Sequence, residues 1–91
     1  MNHAEFDFLI NKAKGVGLSV SAYPNQWLIN IIDSDGVTQS YYTTTGTAIF
    51  RDGNDKYKSK KKTLRDFSYD KFITLCKGDG DEDILDFFEE D

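Results

Sequence analysis

Residues 18–50 read LSVSAYPNQWLINIIDSDGVTQSYYTTTGTAIF, and this stretch decides the fold. Leu18, Val20 and Ala22 alternate with Ser19, Ser21 and Tyr23, which is the period of a β-strand. Pro24-Asn25 breaks the run, because proline has no N–H to give a ladder and asparagine suits a turn. Residues 26–33 predict a second strand, with Trp27, Ile29 and Ile31 on one face and Leu28 and Ile32 on the other. Both faces are largely apolar, so a central strand with something packed on each side is expected. Ser34-Asp35-Gly36 is a hairpin turn, since Asp-Gly supplies the positive φ angles that tight turns need. Residues 37–45 are rich in Thr and Tyr, which suit a half-exposed pleated surface. Gly46 marks a turn or bulge before a fourth short strand over 47–51.

Helical patterns flank this stretch. Asn2 and Glu5 fit an N-cap and a capping-box partner. Phe6, Leu9, Ile10 and Ala13 follow at i, i+3, i+4, i+7, which predicts a helix over 3–14. Lys12 and Lys14 suit its C-terminal end, and Gly15 its cap. Phe8 falls off the stripe and should be partly exposed. Ser68 is an N-cap for a second helix over 69–77, with Tyr69, Phe72, Ile73 and Cys76 as its stripe and Gly78 as its end. Between them, KYKSKKK at 56–62 reads as a ragged edge strand or a mobile loop. Leu64 and Phe67 bring the chain back to the core. The segment 79–91 reads as a turn and a short acidic helix from about Asp81, with Ile84, Leu85, Phe87 and Phe88 apolar. The expected fold is therefore α+β: helix, antiparallel β-meander of three or four strands, helix, and a short acidic C-terminal helix. One domain is expected, with a core over 1–78 and an acidic terminal segment over 79–91. A chain of 91 residues buries roughly 60–65 % of its unfolded surface, enough for one modest core.

Charge is distributed unevenly. The net charge is −5, yet residues 79–91 hold eight of the sixteen acids and no base. Seven of the eleven basic residues fall within 51–65. Such asymmetry speaks about partners, not fold. A single cysteine excludes an internal disulfide and points to a reducing compartment. No apolar run approaches 18 residues, so no membrane partner is expected and the cytoplasm of a host cell is the expected setting.

Catalysis finds little support in these residues. A nucleophile needs a base in reach, and the only histidine is His3, near the N-terminus, while Cys76 lies on a core stripe. No catalytic residue, metal site or cofactor is expected. Asp79, Asp81, Asp83 and Glu90 match four positions of a calcium loop, but Ile84 stands where that loop needs glycine. Two charged segments remain. Arg51, Lys56, Lys58, Lys60, Lys61, Lys62 and Arg65 could track a nucleic-acid backbone, with Tyr57 stacking on a base. Alternatively they form a solvated loop. The acidic segment has three readings. Its apolar side chains could dock on the core. Its carboxylates at Asp79, Asp81, Glu82, Asp83, Asp86, Glu89 and Glu90 could stand in for phosphates in the groove of a nucleic-acid-binding protein. Or Leu85, Phe87 and Phe88 could enter a partner's groove as a linear motif. Leu85-Asp86-Phe87-Phe88 resembles part of bacterial sliding-clamp-binding peptides, with Ile84 where those carry glutamine.

The whole chain resembles the small acidic accessory proteins of phages and prophages of Gram-positive bacteria. The resemblance rests on the helix–meander–helix order, on YYTTTGTAIFRDG leading into KTLRDFSYDKF, and on the end GDGDEDILDFFEED. In size and charge it is similar to several anti-CRISPR proteins. That resemblance implies a non-enzymatic inhibitor whose surface carboxylates block the DNA-binding groove of a host nuclease complex. A small nucleic-acid-binding module using the basic segment, with the acidic end as internal competitor, is the alternative.

Overall fold

The computed structural model describes residues 1–88. It is α+β: helix α1 (His3–Gly15), strands β1 (Ser19–Tyr23), β2 (Leu28–Ile32), β3 (Thr38–Tyr42), β4 (Thr47–Arg51) and β5 (Lys61–Leu64), then helix α2 (Tyr69–Lys77). The five strands form one antiparallel sheet in the order β1-β2-β3-β4-β5. The fifth strand is a correction. Its lysines hide the alternation, and the strand is specified by pairing, Arg51 opposite Lys61 and Ala48 opposite Leu64.

Both helices lie on one face of the sheet. Register places Ile29 beside Tyr41 and Tyr41 beside Ala48. These residues join Phe6 and Ala13 of α1 and Phe72, Ile73 and Cys76 of α2 in one core. The other face is open, with Ile32 45 % exposed. The expectation that β2 is covered on both sides is therefore wrong. The apolar residues on its second face meet Tyr42 and Thr38 across the ladder rather than a second layer.

A second correction concerns Trp27. It does not open the strand. Pro24–Gln26 form a single 3-10 turn, and Trp27 follows with φ 53°, in the left-handed region. Its ring packs edge-on to Phe6 at 5.4 Å and against His3 at 5.0 Å. Trp27 is thus half-buried at the sheet's end, whereas Ile29 and Ile31 are fully buried as expected. Proline fixes the turn, and the bulk of the indole fills the gap over α1's first turn.

The caps form where the sequence places them. The Asn2 side chain accepts the Glu5 N–H at 2.9 Å, and the Ser68 hydroxyl accepts from Lys71 at 3.4 Å. Helix α1 runs through Gly15, however, and the left-handed residue beyond it is Gly17, with φ 90°. Tyr69 ties the helices together by donating its hydroxyl to the Leu9 carbonyl at 2.6 Å. Burial raises its pKa, since a charged phenolate there would lose its water.

Gly78 ends α2 in the left-handed region at φ 77°, and a Cβ there would meet Ser34 Oγ at 3.0 Å. Gly78→Ala is expected to destabilise the fold by about 1–2 kcal/mol, because an L-residue is strained in that region. Urea unfolding reads this directly. A loss under roughly 0.3 kcal/mol would mean that the turn does not need its glycine.

The expected acidic helix from Asp81 is replaced by one short 3-10 turn, Ile84–Phe88. In a helix Glu82 and Asp83 would face Asp86 at i+4 and i+3 and repel it, and the Asp83 carboxylate instead accepts the Leu85 N–H at 3.2 Å. Ile84 is buried in the same core as the sheet and α2.

Candidate functional site

The sheet has two ends, and its charge gathers at one of them. The β2–β3 turn is built by Asp33. One carboxylate oxygen accepts the N–H groups of Asp35 and Val37, both at 2.9 Å, and the other accepts Gln39 Nε2 at 2.9 Å. Gln39 is fully buried and exchanges two further bonds with the Arg51 backbone, accepting its N–H at 2.6 Å and donating to its carbonyl at 3.0 Å. A buried amide needs this complete set of partners. The turn is also tied to α2, since the Ser34 N–H bonds the Cys76 carbonyl at 2.9 Å.

The acidic segment closes over this turn. A cleft of about 270 Å³ is walled by Asp33 and Asp35 from the turn and by Asp81, Glu82 and Asp83 from the segment, with Leu75 and Ile84 as its apolar lining. An adjoining cleft of about 330 Å³ shares Asp33, Asp35 and Ile84 and adds Asp52, Leu85 and Arg51. Asp79, Asp81, Asp83 and Asp86 are all exposed. Glu82 pairs with Lys71 at 3.5 Å. Among the described residues none of the other acids at 79–86 makes an ion pair, and none folds onto the lysines of 56–62. The same clefts hold no convergent set of three metal-ligating side chains among the described residues.

The aromatic pair of the segment is placed differently from a free docking motif. Phe87 stacks on Phe50 at 5.1 Å and meets Phe67 edge-on at 6.5 Å. Phe88 is half-buried against the same core. Leu85 is the large apolar side chain left outside, 47 % exposed. The half-buried phenylalanines therefore attach the acidic segment to the core. Glu89 and Glu90, also expected to face a partner, lie outside the described residues.

No family model, no curated protein and no solved structure matches this chain.

The basic segment is divided by the sheet. Arg51 is half-buried and committed, donating to the Thr38 carbonyl at 3.1 Å and Ser40 Oγ at 3.0 Å. Loss of water around its guanidinium lowers its pKa. Lys61 and Lys62 are successive strand residues and so point to opposite faces. Lys56, Tyr57 and Lys58 sit on a turn closed by Asp55, whose carboxylate accepts the N–H groups of Tyr57 at 2.8 Å and Lys58 at 3.2 Å. Lys60 follows, its N–H bonded to Asp52 at 2.7 Å. Tyr57 is 90 % exposed and stands at the tip of this loop. Arg51, Lys56 and Lys61 line one cleft of about 430 Å³, whereas Arg65 lies beyond the far end of β5 and outside it.

Cys76 and His3 do not meet. His3 packs on Trp27, just before β2 begins, and Cys76 adjoins Ser34, just after β2 ends. Burial, with the Asp33 charge adding to it, pushes the Cys76 thiol well above its ordinary pKa. It is a buried core side chain.

Sequence reading alone missed Asp33, Asp35 and Asp52 as neighbours of the acidic segment. The turn itself is legible in Asp-Ser-Asp-Gly. Its docking under Gly78 depends on helix placement, which no local pattern carries.

Proposed function

We propose that the chain is a non-enzymatic, phage-type inhibitor that binds a host nucleic-acid-processing protein, such as a CRISPR nuclease, through the acidic end of its sheet. The observation that carries this reading is a cleft rimmed by the exposed carboxylates Asp35, Asp81 and Asp83, with Asp79 and Asp86 exposed on the same segment, all without an ion-pair partner among the described residues. These acids are not spread on a loose tail. Ile84 and Phe87 fix them to the core, so little ordering cost falls on binding. Dense charge of one sign steers a basic groove towards the rim and makes association salt-dependent. Phosphates do the same for DNA.

The alternative, a nucleic-acid-binding module, is weaker because Lys61 and Lys62 take opposite faces of β5 and Arg51, which shares a cleft with Lys56 and Lys61, is committed internally. Two arms test the proposal. Labelled single- and double-stranded DNA and RNA, titrated with the protein at low salt, are expected to show no saturable binding. The immobilised protein is expected to retain, from a Gram-positive host lysate, a nucleic-acid-binding protein that added DNA releases. Tight, salt-sensitive binding of DNA to the chain itself would transfer the function to the basic segment. A retained partner indifferent to DNA would overturn the mimic.

A further inference from the structure

The two edges of the sheet carry opposite chemistry. Lys61 and Lys62 guard β5, as lysines guard edge strands against pairing with another chain. Edge strand β1, SVSAY, has no such guard. Residues 15–32 contain no charged side chain at all, in a chain that is 30% charged. Every residue of β1 is exposed except Val20, which is half-buried, and its pairing with β2 is continuous, with no bulge to twist the edge away. Tyr23, its last residue, is 47 % exposed. Depletion of charge with retention of tyrosine is the composition of an interface core.

We propose that β1 is a dimerisation edge: it pairs antiparallel with β1 of a second copy about a two-fold axis at Ser21, giving one continuous sheet across both chains. The inference is independent of what the acidic end binds. Three observations select a second copy as the occupant. First, the strand is complementary to itself. In this register Tyr23 lies opposite Ser19 of the partner subunit, and Val20 opposite Ala22 of the partner subunit. Each larger side chain meets a smaller one across the ladder. Second, each chain carries a net charge of −5, and like charges must be kept apart. Ser19 pairs with Ile32, next to the Asp33 turn, so the acidic end lies at the start of β1. An antiparallel two-fold points the two acidic ends in opposite directions and leaves an uncharged seam between them. Third, an edge without charge offers no complementarity to an acidic or basic peptide.

The test uses three variants at exposed sites. Sedimentation equilibrium over about 10 μM to 1 mM is expected to show association to twice 10.4 kDa. Ser21→Lys sets two lysines against each other at the axis and should weaken the dimer at least roughly tenfold. Ser21 faces Asn30 on the open side of the sheet, so the variant should keep the parent's far-UV spectrum. Ser21→Cys should form a disulfide-linked dimer under mild oxidation, because paired residues across the ladder have Cα atoms roughly 4.5–5.5 Å apart. Thr63→Cys, on the same face but at the guarded edge, should cross-link far more slowly. The native Cys76 is buried and does not interfere. A single-chain mass at every concentration overturns the proposal, and is the result expected if β1 instead receives a peptide of another protein. A dimer indifferent to Ser21→Lys, or equal cross-linking of the two cysteine variants, overturns it as well.

Discussion

Replacing Phe50 by alanine is expected to remove about 3–5 kcal/mol of stability, a large share of the roughly 5–15 kcal/mol available to a small domain. Phe50 is fully buried on β4. Its ring meets Phe67 at 5.4 Å, Phe72 at 5.5 Å and Phe87 at 5.1 Å. One side chain thus joins the sheet to α2, to the segment after β5 and to the acidic segment. Such aromatic pairs add about 0.5–1.5 kcal/mol each beyond the area they bury. The residue's removal also leaves a cavity that three rigid rings cannot easily close. Thermal unfolding should show a fall of at least about 12 °C in Tm. A loss under about 1 kcal/mol would mean that these rings do not form the core. The variant should in addition loosen the acidic end, because Phe87 loses the ring it stacks on. Proteolysis at Leu85 or Phe88 should therefore speed up under native conditions, ahead of cleavage in the sheet.

What the sequence discloses here follows physical range. Short-range signals are legible. Asn2 and Ser68 cap their helices because a side-chain oxygen and an N–H three residues on settle the matter locally. The Ser-Asp-Gly turn, the alternation of β1 and the helical stripe of α2 are local in the same sense. Signals that depend on pairing are not legible. Strand β5 is written mostly in lysine, threonine and leucine, and it exists because β4 offers a free edge. Trp27 fits the alternation of β2 but leaves the strand, since Pro24 sets a 3-10 turn and the indole finds Phe6. Gln39 looks like an ordinary strand residue. Only the tertiary structure reveals that it is buried and bridges Asp33 to the backbone of Arg51.

The candidate site divides in the same way. The acids of 79–86 are visible as a run, and their exposure follows from composition. Their orientation does not. It is set by Ile84 and Phe87, which read as members of an amphipathic helix and act instead as two anchors of a single turn. The contribution of Asp33, Asp35 and Asp52 depends on the β2–β3 and β4–β5 connections emerging at the same end of the meander. That is a consequence of strand order, which alternation does not encode. The basic segment illustrates the converse. Of seven cations close in sequence, Lys61 and Lys62 take opposite faces of β5, and Arg51, Lys56 and Lys61 share one cleft.

On the proposed function, carboxylates at this end act on a partner as phosphates do. Neutralising Asp35, Asp79, Asp81, Asp83 and Asp86 to Asn, with Glu90 to Gln, tests it most directly. Asparagine keeps an acceptor for the backbone N–H groups that Asp83 and Asp86 cap at 3.2 and 3.1 Å. Asp33 is left in place because its carboxylate holds the turn. The variant should keep the fold, since Asp35, Asp79, Asp81, Asp83 and Asp86 are outside the core. The decisive measurement is the association rate with the captured partner as a function of salt. A fall of about 10- to 100-fold at low salt is expected, with a flattened salt dependence and a smaller change in the dissociation rate. An association rate and a salt slope equal to those of the parent would contradict it, and would leave exposed Leu85 and the open face of the sheet as the surfaces that meet the partner.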